Sequence, residues 1–266
     1  MSDTDGSLIR RAAAAACLTL VLALPVAAQQ VTVDAPPPAS PEFMSRYDFH
    51  LSAVALGDSD IRFGWDAHFG GDLDIADYVK GRTTVVIDYD VVLGHEQRLF
   101  DPNQGNYTLE ASTSWRVAGL EAAFIFHHVS RHLSDRPKDF PIAWNVAGAR
   151  VLRHTVLGSV TVDVSGDIGW ITQHSTVDYT WIGDGEVVVR RPLNTRVGLF
   201  ARGSGQLIGV DSGRGTQSGG RIEGGVRLNG RAGAVELFAG YEKRIDASLL
   251  ERGPQHWGLA GFRLVR

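Results

Sequence analysis

The sequence predicts an all-β protein, a single antiparallel transmembrane β-barrel of roughly 12 strands. Three observations predict this fold. Segments of about ten residues alternate apolar with polar side chains, as membrane strands do. The connections between these segments alternate between short and long. The N-terminus has the features of an export signal.

The N-terminal residues 1–28 are predicted to be a cleaved signal peptide. The pair Arg10-Arg11 precedes an apolar run, and Val26-Ala27-Ala28 suits signal peptidase. The run is short for a membrane span and contains a proline, which argues against an anchor. Residues 29–43 are rich in proline and poor in aromatics, so we expect a disordered periplasmic tail there, followed by the barrel in 44–266.

Composition excludes some classes of function. The chain of 266 residues has a formal net charge of −4, which gives no reason to expect a nucleic acid partner. Its one cysteine, Cys17, lies in the predicted signal peptide. We therefore expect a mature chain without disulfides and without a cysteine metal site.

The predicted strands carry one apolar face and one charged face. In segment 84–93, Val85 and Ile87 lie on one face, and Asp88 and Asp90 on the other. A soluble β-sandwich would show the same alternation. Small residues on the apolar faces favour a membrane barrel instead, as do aromatics near strand ends that resemble interfacial girdles; these aromatics are Trp115, Trp170, Tyr241 and Trp257.

The predicted connections have the rhythm of short periplasmic turns and long outer loops. Tight connections are expected at 117–119, 154–156 and 228–231, and long polar ones at 94–106, 133–141, 172–195 and 243–255. Segment 179–191 is either a barrel strand or an extra hairpin within a loop. Glycine-rich pieces such as Gly203-Ser204-Gly205 are assigned to turns. The expected location is the outer membrane of a diderm bacterium.

The C-terminal segment 257–266 alternates and is rich in aromatics, like the final strands that outer-membrane barrels present to the barrel-assembly machinery. That machinery is one expected partner, together with outer-membrane lipids and lipopolysaccharide. The inward positions carry both signs of charge, so the lumen is either a small-solute channel or is closed by cross-strand ion pairs. The sequence does not define the oligomeric state.

Three pieces of the chain, Asp72–Tyr78, His128–Asp135 and Gly240–Leu259, together resemble a family of uncharacterised bacterial outer-membrane β-barrel proteins with the hallmark HxSSHLGD. Arg131 stands for the second serine of the hallmark and Ser134 for its glycine. The resemblance implies a barrel and brings no established activity. On this basis the first functional hypothesis is a barrel without a cofactor, which is either structural or porin-like with passive transport of small solutes.

A second resemblance is local. His128 and Ser130, followed by Asn145, resemble the HxS and later asparagine of outer-membrane phospholipase A, and HxS is also similar to the lipid A deacylases. A serine nucleophile needs a base within hydrogen-bond reach, and the base needs a third group to orient it. The resemblance implies a lipid hydrolase with Ser130 as nucleophile, His128 as base and Asn145 as the orienting residue.

Strand alternation predicts which way these side chains face. His128 and Ser130 share a face with Phe124 and Phe126, which we expect to meet lipid, whereas His127 faces the lumen. Asn145 faces outward if the next strand keeps its parity. The alternative interpretation is that the histidines are amphipathic rings at the membrane rim, next to a polar loop.

Metal binding is a further hypothesis from the sequence. His128 and His132 share a face and are candidate ligands together with Asp135, whereas His127 lies on the opposite face. Calcium is expected only under the lipid-hydrolase hypothesis or at an acidic group formed by Asp58, Asp60, Asp72, Asp74 and Asp77.

Overall fold

The computed structural model describes residues 37–134, 140–211, 213–248 and 250–266. In these ranges the chain forms a closed barrel of 12 antiparallel strands, which confirms the predicted fold. The predicted signal peptide 1–28 and residues 29–36 of the predicted tail lie outside the described residues. No helix in the described ranges is both long and apolar enough to cross a membrane.

The strands follow one another around the barrel, and each pairs with its neighbours in sequence. They are β1 Glu42–Gly57, β2 Trp65–Asp77, β3 Arg82–Gly94, β4 Asp101–Val117, β5 Leu120–Leu133, β6 Ile142–Leu157, β7 Val160–Ser175, β8 Tyr179–Pro192, β9 Val197–Val210, β10 Gln217–Asn229, β11 Ala234–Arg244 and β12 Gln255–Val265. The barrel closes where β1 pairs with β12, from His50 opposite Val265 to Gly57 opposite Gly258. The barrel start predicted at residue 44 thus lies inside β1.

The connections fall into two groups at opposite ends of the barrel. The turn end carries 78–81, 118–119, 158–159, 193–196 and 230–233, and the loop end carries 58–64, 95–100, 134–141, 176–178, 211–216 and 245–254. The turn predicted at 154–156 is therefore displaced to 158–159. Glycines at 158 and 119 have positive φ values of 63° and 77°, which suits tight two-residue turns.

Segment 172–195 is not one long loop, because it contains the full strand β8. Asp184 and Glu186 face the lumen, while Gly183 and Gly185 occupy the outward positions that alternate with them. At these two positions the outward face has no side chain, so the middle of the strand lacks the large apolar residues that mark a membrane strand in sequence. Gly203-Ser204-Gly205, likewise assigned to a turn, lies within β9, where the two glycines take outward positions and Ser204 faces the lumen.

The outward face of the barrel carries an apolar belt. Large outward side chains remain solvent-exposed in the isolated barrel, including Phe69, Ile87, Leu109, Phe124, Phe126, Val151, Ile168, Trp170, Leu199, Ile222, Leu237 and Phe262. Such a belt is stable only against lipid. Trp115, Trp170 and Tyr241 are exposed, as predicted for girdle residues, but Trp257 is buried and stacks on Phe63, with ring centroids 5.5 Å apart.

The lumen contains many charged and apolar side chains. Towards the turn end it contains buried ion-pair networks, in which Arg150 bridges Glu110 and Asp167, and Arg263 bridges Glu223 and Glu236. Towards the loop end it holds two apolar clusters that include residues from the loops; their loop members are Phe63, Ala247, Val177 and Ile245. A cavity of about 340 Å³ lies between the walls.

Candidate functional site

Strand β5 separates the histidine-rich segment into two faces. His127 and Arg131 line the lumenal cavity, whereas His128, Ser130 and His132 lie on the outward face near the loop end. This is the alternation expected from the sequence. Asp135, a candidate metal ligand in the sequence, lies outside the described residues.

His128 is held by Asn145 across the β5–β6 pair. The two residues are directly opposite in register, and His128 Nδ1 lies 2.7 Å from Asn145 Oδ1. An amide oxygen can only accept a hydrogen bond, so Nδ1 carries the proton and Nε2 of the neutral ring keeps its lone pair. The Asn145 amide donates in turn to Gln173 Oε1 at 3.2 Å. Asn145 therefore fixes the tautomer and orientation in which His128 can act as a base.

A β-bulge next to the site brings Gln173 to Asn145. The β6–β7 register shifts between Asn145 and Val146, whose partners are Gln173 and Ile171, so Thr172 is the extra residue. Thr172 Oγ1 donates to the Asn145 carbonyl at 3.4 Å. The bulge reverses the alternation of β7, so that Gln173 faces outward, as such irregularities often do beside functional sites.

Ser130 lies between two histidines on the same face of β5. Its hydroxyl is 2.9 Å from His132 Nε2, and the residue is only 7% exposed. The predicted contact with His128 is therefore not formed in this conformation, because the hydroxyl is directed to the other neighbour. Strand alternation places both histidines two residues from Ser130, and it does not determine which rotamer the serine adopts.

Tyr107 covers Ser130 from β4. The two residues are directly opposite in register. The Tyr107 ring stacks on His132 with centroids 5.4 Å apart and lies 6.1 Å from the ring of His128. Tyr89 and Phe69 extend the aromatic row onto β3 and β2, with ring centroids 5.2 Å apart. The site is thus set into an aromatic belt of the kind found at membrane interfaces.

The acidic residues proposed for calcium are mostly engaged by arginines. Asp72 and Asp74 both bind Arg46, and Asp74 also binds Arg82. Asp77 binds Arg116, and Asp60 binds Arg62. These contacts neutralise the carboxylates within ion pairs, so the predicted acidic group does not form a calcium site in the described structure.

One group of candidate metal ligands is not evident from the sequence. His50, His68 and Asp88 bring two imidazole nitrogens and a carboxylate oxygen within 4.8 Å of one another inside the lumen. Each residue falls on the charged face of its strand, which the alternation does show. Their convergence depends on the register of three strands, which the sequence alone does not reveal.

No family model and no curated protein matches the sequence. Solved outer-membrane barrels do match the fold. Outer membrane phospholipase A from Escherichia coli aligns with a TM-score of 0.51 and 12% identity, over 84% of this chain and 97% of that chain. The Salmonella typhi outer membrane phospholipase dimer with bound calcium has the same TM-score and identity over 82% and 89%. LpxR from Salmonella typhimurium aligns with a TM-score of 0.46 and 9% identity, over 82% and 99%.

At these identities the likeness establishes the fold of an outer-membrane barrel and no more. The resemblance to the uncharacterised HxSSHLGD family rests on the motif pieces alone.

Proposed function

We propose that this chain is an outer-membrane lipid hydrolase in which Ser130 is the nucleophile, His128 the general base and Asn145 the residue that orients the base. One observation carries the proposal. A buried serine lies between two histidines on the lipid-facing surface, and one of these histidines is oriented by an asparagine at 2.7 Å.

The reaction follows from these positions. Rotation about χ1 of Ser130 transfers its hydroxyl from His132 to His128 between staggered rotamers. Oγ then attacks the carbonyl carbon of an ester, and its proton passes to His128 Nε2. The same proton is given to the departing alcohol, and an acyl-serine remains. Water, deprotonated by His128, attacks the acyl carbon, the bond to Ser130 Oγ breaks, and His128 returns the proton to Oγ as the fatty acid leaves.

The surroundings of Ser130 favour a lipid substrate. The hydroxyl lies on the membrane-facing surface beside Tyr107, close to the loop end of the barrel, and exposed Phe126 lies further along the same face of β5. In the orientation with short periplasmic turns, this end lies at the cell surface, beside the outer leaflet. A phospholipid or a lipid A ester can then reach the site from within the bilayer.

Solved structures with a similar fold include enzymes that act on lipids. Two are outer membrane phospholipases, and a third solved structure, at 11% identity, is an active-site mutant of the Escherichia coli enzyme in which an asparagine is replaced by alanine. These activities belong to those proteins. In this chain, the contact between Asn145 and His128 is what supports a hydrolase site with an orienting asparagine.

Calcium does not fit the described site as it stands. Calcium takes about six to eight oxygen ligands. The side-chain oxygens in the hydrogen-bonded chain at His128 are Asn145 Oδ1 and Gln173 Oε1, and both already accept hydrogen bonds. We therefore assign no step of the reaction to calcium, and the assay below is run with calcium and with chelator.

The test is fatty-acid release from phospholipid and from lipid A by the purified barrel folded in detergent. We expect release by the wild type and a loss of about 10³-fold or more in Ser130→Ala. Ser175→Ala is the matched control, because Ser175 ends β7 one strand beyond Ala143, the partner of Ser130. Absence of release with either lipid, with and without calcium, would refute the proposed activity.

The two histidines are distinguished by parallel variants. His128→Ala should abolish release, and Asn145→Ala should reduce it because the imidazole loses its orientation. His132→Ala should retain most of the activity, since its hydrogen bond to Ser130 belongs to the resting conformation. If His132→Ala is inactive while His128→Ala is active, the base is His132 and our assignment is wrong.

A further inference from the structure

Three lumenal side chains from neighbouring strands converge on the inner side of the barrel wall, opposite in facing to the outward site. His50 lies on β1, His68 on β2 and Asp88 on β3. Asp88 Oδ1 is 3.3 Å from His50 Nε2 and 2.6 Å from His68 Nε2. The two imidazole rings have centroids 4.9 Å apart. Two nitrogens and one carboxylate oxygen therefore point to one small volume at the edge of the lumenal cavity.

A glycine creates the space for this convergence. Gly70 on β2 is the register partner of both His50 and Asp88. A Cβ atom at this position would lie 2.5 Å from Asp88 Oδ1. Because Gly70 has no side chain, the Asp88 carboxylate can extend across β2 towards both histidines.

The charge around the group is predominantly negative. Asp66 and Asp90 line the same cavity, and each has an Oδ1 atom that is buried without a hydrogen-bond partner. Asp66 is 7% exposed, so its unpartnered oxygen is enclosed by the barrel. The nearby cation Arg244 is shared between Asp66 and Glu242. A buried carboxylate oxygen without a partner is costly, which favours a further positive charge here.

We propose that His50, His68 and Asp88 form a binding site for a divalent transition metal ion such as zinc. Two imidazole nitrogens and a carboxylate are ligands typical of zinc, cobalt or nickel, whereas calcium and magnesium prefer oxygen ligands. In a tetrahedral site with bonds of ~2.0–2.1 Å, ligand atoms lie ~3.3 Å apart. The His50–Asp88 distance of 3.3 Å already meets this value, and the His68–Asp88 distance of 2.6 Å requires a small opening.

The bound ion would connect three consecutive strands next to the closure of the barrel, since β1 also pairs with β12. The competing interpretation is a hydrogen-bonded ion pair in which a proton lies between His68 and Asp88. Both interpretations use the same residues. They differ in whether the histidine nitrogens and the carboxylate share protons or coordinate one metal ion.

The experiment uses the full mature barrel, folded in detergent, with cobalt(II) as a spectroscopic probe and zinc as its competitor. We expect one cobalt ion per barrel, with a visible ligand-field band that zinc abolishes. Metal is supplied both during folding and afterwards, so that a closed lumen cannot hide the site. His50→Gln, His68→Gln and Asp88→Asn should each weaken binding by at least tenfold.

His154→Gln provides a matched control. His154 also pairs with a lumenal carboxylate, its Nδ1 lying 2.6 Å from Asp163 Oδ1, and it belongs to no three-ligand group among the described residues. This variant should bind cobalt like the wild type. Heat-modifiable gel mobility checks that every variant is folded. The proposal is overturned if the folded wild type binds no cobalt under either protocol, or if His50→Gln and His68→Gln bind it as tightly as the wild type does.

Discussion

The hydroxyl of Ser130 illustrates what the membrane demands of a polar residue. An unpaired hydroxyl on the lipid-facing surface would cost free energy, because lipid offers no hydrogen-bond partner. His132 accepts or donates that bond at 2.9 Å, and Tyr107 covers the pair. The resting contact therefore satisfies the hydroxyl, while His128 remains two residues away with its orientation already fixed by Asn145.

Arg150 is the residue whose loss should destabilise the barrel most clearly. Its guanidinium is 4% exposed and binds Glu110 at 2.6 Å and Asp167 at 2.6 Å. Arg150→Met would remove the guanidinium that neutralises two lumenal carboxylates, leaving Glu110 with the His127 ring at 3.7 Å. We expect the free energy of unfolding to fall by ~3–5 kcal/mol, as when one partner of a buried ion pair is removed. The measurement is guanidinium-induced unfolding of the barrel in lipid vesicles.

Two further variants test the cause of that loss. Arg196→Met removes an arginine from the exposed turn 193–196 and should leave the unfolding free energy nearly unchanged. The triple variant Arg150→Met, Glu110→Gln, Asp167→Asn removes the uncompensated charges and should recover part of the stability. A triple variant no more stable than Arg150→Met would show that packing, and not charge, explains the effect.

At the scale of the strands, the sequence predicts faces well and register poorly. The alternation in β5 places His128 and Ser130 outward and His127 inward, as the structure shows. Asn145 also keeps its predicted parity. The bulge at Thr172 could not be predicted, because it depends on how β6 and β7 align. Because of that irregularity the Asn145 side chain bonds to Gln173, while Thr172 reaches only the Asn145 backbone carbonyl.

Strand β8 and Trp257 show two further limits of the sequence pattern. In β8 the outward positions at 183 and 185 are glycines, so the period-two signal is lost although the strand is complete. Trp257 near a strand end matches the composition of a girdle, but its position in the alternation turns it into the lumen, against Phe63. A tryptophan in a barrel strand is informative about the membrane interface only when its face is known.

The tight turn between β4 and β5 contains a residue in an unfavourable conformation. Ala118 and Gly119 have φ values of 51° and 77°, as both central residues of a type I′ turn require. Asparagine tolerates this region better than alanine, so Ala118→Asn should raise the free energy of unfolding by about 0.5–1 kcal/mol. The same unfolding measurement in vesicles checks this expectation.

Gly119→Ala should have the opposite effect. An added Cβ at Gly119 would meet no atom within 4 Å, so a loss of about 1 kcal/mol would come from the backbone alone. Gly203→Ala in β9 is the control, because its Cβ would also meet nothing within 4 Å and Gly203 is not a positive-φ glycine. Equal stability of the two alanine variants would contradict a conformational cause.

For the whole molecule, the side chains inside the lumen decide whether the barrel can act as a small-solute channel. The mixed charges read from the sequence are paired across the barrel, as in the networks of Arg150 and Arg263. The connection between β11 and β12 also enters the loop end. Ala247 is fully buried, and its carbonyl accepts a hydrogen bond from Gln104 Nε2 at 2.8 Å. Arg131 donates to the neighbouring Asp246 carbonyl, also at 2.8 Å. Two separate sets of contacts therefore narrow the lumen, one between charged wall residues and one with the β11–β12 connection.

From these two sets of contacts we predict that the folded protein will not conduct ions. In a planar bilayer with concentrated potassium chloride, the wild type should show no stable conductance steps, while a general porin in the same bilayer serves as the positive control. A double variant, Gln104→Ala with Arg131→Ala, releases the loop at Ala247. It should still show no sustained steps, because the charged networks towards the turn end remain intact. Stable steps in the wild type would favour passive solute transport, and steps confined to the double variant would show that the loop alone closes the pore.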